Sequence, residues 1–242
     1  MSMVSSARMP GLFSPSGGLV WHARAARNRH RWRTFLAAIE SWLEAWPHGC
    51  EQLLLLGPSA GWCLPTPFLC RFREIQAVDF DPLAPYFFAM LHGRQLRRHR
   101  TSIRWRRTDV IRDLELILNE CPGHAVLFGN MLGQHRLHCR DIASAEADIA
   151  GLVRRLRGRS WASFHDRLSG AWDAARETPA GFSHPTPLSS LKLASHFPEV
   201  PIWTDHLTEC VMPADSDCRY LSWLMEPTRL HVVEAAWRVG DE

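Results

Sequence analysis

No apolar stretch of this chain approaches the roughly 20 residues that a helix needs to cross a bilayer, so a membrane-spanning helical protein is excluded and no membrane partner is expected. The cysteines, at 50, 63, 70, 121, 139, 210 and 218, are odd in number and include no Cys-x-x-Cys pair. That removes the usual signs of a disulfide framework or a structural zinc site, and a reducing cytoplasm is the expected compartment. The N-terminus has no basic segment leading into an apolar core, so no secretory signal is read. Residues 1–33 are nonetheless rich in arginine and free of acid, which leaves a transit segment open. Lysine is nearly missing: Lys192 is the only one, so almost all the positive charge is arginine. The guanidinium fork suits phosphate, but a GC-rich genome produces the same bias more cheaply. Internal repeats and low-complexity tracts are also missing. What remains is 242 residues, 46% hydrophobic, with a formal charge of +3. This is the size and composition of one globular α/β domain with some decoration.

The chain is organised around residues 53–62, LLLLGPSAGW. Four leucines in a row read as a short strand buried on both faces, as in the middle of a parallel sheet. The strand stops at a small-residue turn, Gly57 to Gly61, where a backbone can bend sharply and a ligand can come close. About twenty residues later, the interval of a dinucleotide-binding pattern, a second apolar strand ends in Asp79, Phe80 and Asp81. A small-residue turn after one buried strand and a carboxylate after the next is a layout for holding a nucleoside, with the acid accepting from ribose hydroxyls.

Residues 1–19 mix Gly, Pro and Ser and read as an irregular arm. A single long amphipathic helix is predicted over 20–46, with Trp32, Leu36, Ile39, Leu43 and Trp46 on one face and Pro47-His48-Gly49 ending it. Strands are expected at 53–56, 74–79, 103–107, 125–128 and 161–164, alternating with helices. Thr66 is expected to cap a short helix that starts at Pro67. Residues 169–205 form a long insertion of lid-like character. An antiparallel hairpin over 220–225 and 230–239 closes the chain. The domain reading is therefore an arm over 1–19, an N-terminal helix over 20–48, and a main domain over 50–242. Such alternation gives an α/β fold: a Rossmann-like parallel sheet with helices on both faces and a C-terminal antiparallel β-hairpin.

With these residues in place, the chain resembles the class I S-adenosylmethionine-dependent methyltransferases over roughly 50–240. The resemblance implies S-adenosylmethionine as cofactor and methyl transfer to an unknown acceptor as the activity. Gly57, Ser59 and Gly61 lie where that family's glycine loop wraps the cofactor's methionine and ribose. Asp79 lies at its ribose-binding acid, and Asp109 where a residue contacts the adenine amino group. Asn130 follows the fourth strand, where that family places residues facing the methyl donor and substrate. Asn130, Gln134 and His165 are the candidate catalytic residues, with His165 suited to a general base. The chain departs from the family at Leu55, where an acid is usual, at Ser59 in place of the middle glycine, and at Pro58, which removes a backbone donor. A relative that kept the fold and lost the chemistry, acting as a scaffold or partner subunit, would show the same departures.

Other constellations compete. Residues 57–61 also spell Gly-x-Ser-x-Gly, the nucleophile elbow of α/β-hydrolases. Ser59 would attack, followed by Asp166 or Asp205 and then His206 or His231. Only a helix precedes this strand, however, and nothing upstream resembles an oxyanion-hole loop. Asp81 reads as a helix cap. His165-Asp166, Asp205-His206, Glu209, His135 and His138 could approach a metal, but thirteen histidines produce such pairs by chance, and no metal is assigned. Arginine clusters at 24–33, 94–107 and 154–159 suit phosphate contacts. Solvated helix faces account for them better, so RNA is possible but not favoured, and a protein partner is left open by the Trp-rich helix.

Overall fold

The computed structural model describes residues 18–136, 139 and 141–240. The predicted arm over 1–19 and His138 lie largely or wholly outside them. Two helices lead in. The first, α1, runs Gly18–Asn28, a 3-10 turn follows at Arg29–Trp32, and α2 runs Arg33–Ala45. The single long helix expected over 20–46 is thus two, hinged at the turn. The apolar stripe survives the hinge, with Trp32, Ile39, Leu43 and Trp46 all fully buried. Gly49 takes a φ of +66° beyond the end of α2.

Alternation then follows. β1 is Gln52–Leu56, α3 is Thr66–Leu69, β2 is Glu74–Val78, α4 is Ala84–Arg98, β3 is Ser102–Arg106 and α5 is Val110–Glu120. β4 is Ala125–Gly129, α6 is Leu132–His135, α7 is Ile142–Arg155 and β5 is Trp161–Ala171. β6 (Phe182–His184), α8 (Ser190–Ser195) and β7 (Trp203–Asp205) lie in the insertion, and the hairpin is β8 (Cys218–Glu226) with β9 (Arg229–Arg238). The order across the sheet is β3-β2-β1-β4-β5-β9-β8-β6, with β7 on a free edge of β5. The first five strands pair in parallel and the rest antiparallel.

The leucine run explains the two layers. Side chains alternate across a strand, so Leu53 and Leu55 enter one core with Phe35, Phe68 and Phe88 from α2, α3 and α4. Leu54 and Leu56 enter the other with Leu114, Leu152 and Leu193 from α5, α7 and α8. Helices therefore cover both faces, as expected. Thr66 does not cap α3, because Pro65 holds the cap position and the Thr66 hydroxyl bonds His92 Nδ1 at 2.8 Å.

β5 is much longer than the four residues expected. Its first half pairs with β4 up to Phe164, and its second half pairs with β7 from Leu168. Between them a bulge interrupts the register with β9. Asn130 fills the gap. Its backbone N–H donates to Phe164 O at 2.9 Å and its Oδ1 accepts from Asp166 N at 3.0 Å. A φ of +59° makes this geometry reachable, and asparagine tolerates it better than most residues.

Candidate active site

The loops after β1, β2 and β4, the start of α5, and α1 enclose one cavity. Its empty space, mouth included, is about 1120 Å³. Gly57, Pro58 and Ser59 form one wall, Asp79 to Asp81 the next, and Asp109 to Ile111 and Gly129 to Met131 the others. Trp21, Trp62, Phe164 and Trp223 give it an aromatic lining. Among the described residues no lysine or arginine lines it.

Ser59 has a φ of +50°, a left-handed conformation that costs a side-chain-bearing residue about 1 kcal/mol. Its N–H points at Asp79 Oδ2, 2.7 Å away, and Asp81 N–H donates to Asp79 Oδ1 at 2.9 Å. Burial dominates Asp79 and pushes its carboxyl up to about 6, while the two N–H donors act the other way. Asp109 caps α5, its Oδ1 accepting from Ile111 N at 3.0 Å and Arg112 N at 3.2 Å. Burial beside Asp166 pushes the cavity-lining Cys63 thiol up to about 12, so it stays protonated at neutral pH.

The N-terminal helix is fastened to this site. Trp21 Nε1 donates to Ser59 Oγ at 3.0 Å, and Gly18 N donates to Asp81 Oδ2 at 2.9 Å. His22 Nε2 lies 3.0 Å from the same Asp81 oxygen, while its Nδ1 accepts from Trp62 Nε1. Asp81 also accepts from Leu83 N in the turn ahead of α4, but Leu83 holds the cap position and no side chain caps the helix, so Asp81 is an anchor for α1 and not the expected helix cap.

The expected site residues divide. Gly57, Ser59, Asp79, Asp109, Asn130 and Gln134 all border the cavity. Gly61 does not: a Cβ there would lie 2.7 Å from His92 Nε2, so its bareness serves packing against α4 rather than a ligand. The Cβ space at Gly57 is likewise taken by Met131, at 2.5 Å. His165 is a correction. It is fully buried, on the opposite side of β5 from the cavity-lining Phe164, with Ser163 Oγ at 2.9 Å and Glu234 at 3.4 Å. The two-residue period of the strand turns it away from the crevice. Leu55, at the usual acidic position, is a core residue.

Ser59 has no histidine on its hydroxyl, as a serine nucleophile requires, since Trp21 occupies that place. Asp166 and His231 do meet, at 3.0 Å, but beside Asn130. The expected metal-type residues divide. His165 joins Glu234 and Asp166 joins His231, while His135 gathers with Asp148 and Cys139, one ligand atom of each lying within 4.8 Å of the others. Sequence reasoning missed Trp21, Trp62 and Trp223 as cavity residues. Period and composition mark them only as apolar, and nothing in the linear sequence tells a core tryptophan from one facing a ligand.

Comparison with known proteins adds the following. No family model matches the chain, and no curated protein matches it. Among solved structures the chain is similar to a geranyl diphosphate methyltransferase in complex with SAM, at 15% identity over 94% of each chain with a TM-score of 0.43. It is similar to the N-methyltransferase NodS from Bradyrhizobium japonicum WM9 in complex with S-adenosyl-l-homocysteine, at 12% identity over 76% of this chain and 77% of that one, TM-score 0.35. A third is a SAM-dependent methyltransferase from Aquifex aeolicus, at 10% identity over 88% and 97% of the two chains, TM-score 0.39. At these identities and scores the likeness assigns no ligand and no chemistry. The observed strand order and loops define a Rossmann-like α/β protein that resembles class I methyltransferases.

Proposed function

We propose that the cavity binds S-adenosylmethionine and that the protein is a methyltransferase. Asp79 carries this reading. It stands at the C-terminal end of β2, lines the cavity, and spends only one lone pair of each oxygen on a backbone N–H. The remaining lone pairs suit two neighbouring hydroxyls, as a ribose presents them. Asp109 Oδ2, left over from its capping role, suits an exocyclic amino group, and Phe80, Val110 and Ile111 offer apolar surface to a base. The acidic lining suits a cofactor that carries a sulfonium and an ammonium. The residues present thus fit the group.

When bound, S-adenosylmethionine supplies a methyl group already made electrophilic by its sulfonium. The protein's tasks are then alignment and water exclusion. Asn130 is locked by Asp166, and Gln134 holds an amide with no side-chain hydrogen bond among the described residues at the cavity wall. α1, fastened through Trp21 and His22, adds Trp21 to the wall of the site. Pro58 costs the loop little, because Gly57 N already bonds Val78 O at 2.8 Å and Ser59 N bonds Asp79. The seven free cysteines suit a reducing compartment such as the cytoplasm. No helix among the described residues is long and apolar enough to cross a membrane.

Calorimetric titration with S-adenosylmethionine and S-adenosylhomocysteine tests the reading. Micromolar-range binding that Asp79→Ala abolishes is the expected result. A protein that binds neither is a scaffold that has shed the chemistry, and the proposal falls.

A further inference from the structure

Three side chains of metal-ligating type meet at the end of α6, apart from the residues assigned to the cofactor. His135 closes α6, Cys139 lies four residues on, and Asp148 stands in the second turn of α7. His135 Nε2 is 3.2 Å from Cys139 Sγ and 3.0 Å from Asp148 Oδ2. One ligand atom of each residue lies within 4.8 Å of the other two. Cys139 N–H donates to Arg136 O at 3.3 Å, in a tight turn that brings the sulfur back to the imidazole.

The arrangement makes a poor hydrogen-bonded group. Nε2 holds either one proton or one lone pair, and the sulfur and the carboxylate compete for it. It makes a poor nucleophile pair as well. Burial and the charges of Asp148, Asp141 and Asp109 push the Cys139 thiol up, whereas an activated thiol needs the opposite shift.

The distances suit a metal ion instead. Zinc holds nitrogen at about 2.0–2.1 Å, thiolate sulfur at about 2.3 Å and carboxylate oxygen at about 2.0–2.2 Å, so tetrahedral neighbours stand roughly 3.3–3.6 Å apart. The two measured edges need to open by only a few tenths of an ångström. The charges match too, since a thiolate, a carboxylate and a neutral imidazole together balance one divalent ion. Such a donor set favours zinc over magnesium or calcium, which take oxygen ligands. The Asp148 side chain is half-exposed, so water reaches the fourth position.

We propose that His135, Cys139 and Asp148 bind one zinc ion, with water as the fourth ligand. On binding, the thiol gives its proton to solvent and the sulfur, Nε2 and the carboxylate each bond the metal. The His135 ring proton rests on Nδ1, and no electron is transferred. The ion ties α6 to α7. A helix of one turn has little stability of its own, and α6 carries Gln134 and His135, which border the cavity. The tie therefore braces that wall, whether or not the cavity takes S-adenosylmethionine.

The test titrates zinc and cobalt(II) into the full chain, stripped of metal with a chelator and kept reduced. One zinc per chain should bind at micromolar affinity or tighter and raise the melting temperature. Cobalt(II) should give the intense visible bands of a tetrahedral ion, with thiolate-to-cobalt charge transfer in the near ultraviolet. Cys139→Ser should abolish the charge transfer and weaken zinc by about a hundredfold, and Asp148→Asn should keep the charge transfer and weaken zinc by about tenfold. Without metal both variants should melt as the stripped wild type does. Should Cys139→Ser fail to fold, Asp148→Asn, at a half-exposed position, decides alone. The proposal is overturned if the wild type takes up no stoichiometric zinc, or if its cobalt spectrum is octahedral without charge transfer. Charge transfer that persists in Cys139→Ser places the metal on another cysteine and overturns it too, as does unchanged zinc affinity in Asp148→Asn.

Discussion

Asp79 carries its charge where burial disfavours one. Its folded-state carboxyl titrates at about 6 against an ordinary value of 3.8, so the folded protein holds this proton to higher pH than the unfolded chain does. The contribution to stability is therefore full below about pH 3.8 and is lost as pH rises through about 6, on the order of 3 kcal/mol in all. Thermal melts of wild type between pH 4 and 7 should show that loss, and Asp79→Asn should flatten it. Ligand hydroxyls need the charged form, so cofactor affinity should run the opposite way. It should fall about tenfold for each pH unit below about 6, and affinity that is flat across this range would contradict the ribose role.

The elements meet the site through single close approaches. Gly133 sits in α6 against β5, and a Cβ there would lie 2.7 Å from Asp166 Cβ and 2.9 Å from its carbonyl oxygen. Backbone cannot yield as a flexible side chain does. Gly133→Ala should therefore destabilise by about 2 kcal/mol and disturb the Asn130–Asp166 bonds, which a lowered melting temperature and weaker cofactor binding would report together. α1 is held differently, by charge. The Asp81 carboxyl is kept below its ordinary range because His22, Gly18 N and Leu83 N outweigh the opposing effect of burial. That stabilisation is present above the ordinary carboxylate range and disappears as pH falls below it. Exchange protection across residues 18–28, referred to the intrinsic amide rate at each pH, should fall on acidification and should already be low at neutral pH in Asp81→Ala. Slow exchange in that variant would mean that Trp21 and the apolar contacts suffice.

At the scale of the whole molecule, the insertion is tied to the sheet through a buried pair. Arg167 and Glu234 are both fully buried and bonded to each other, and Arg167 also donates to Leu188 O at 2.8 Å. Tyr220 completes the tie by accepting from Leu188 N at 2.6 Å. Removing one charge strands the other. Glu234→Gln should cost about 3–5 kcal/mol, while the double change Arg167→Met with Glu234→Leu should recover much of it. Denaturant melts of the three variants distinguish a needed charge pair from a merely filled space.

The linear chain determined the parts of this protein that depend on neighbours in sequence. Leu53 to Leu56 had to be a strand buried on both faces, and Asp79 had to follow the next strand. Alternation of strand and helix required a layered α/β sheet, with most of the cavity wall at the strand ends. Tertiary structure decided what depends on register and distance. The parity of β5 took His165 out of the crevice and left Phe164 in it. The packing of α4 claimed the space at Gly61, and the antiparallel hairpin brought His231 to Asp166 across 65 residues. A strand's two faces differ by one residue of slip. Contacts between remote segments are fixed by the packing of the whole core, which no local pattern carries.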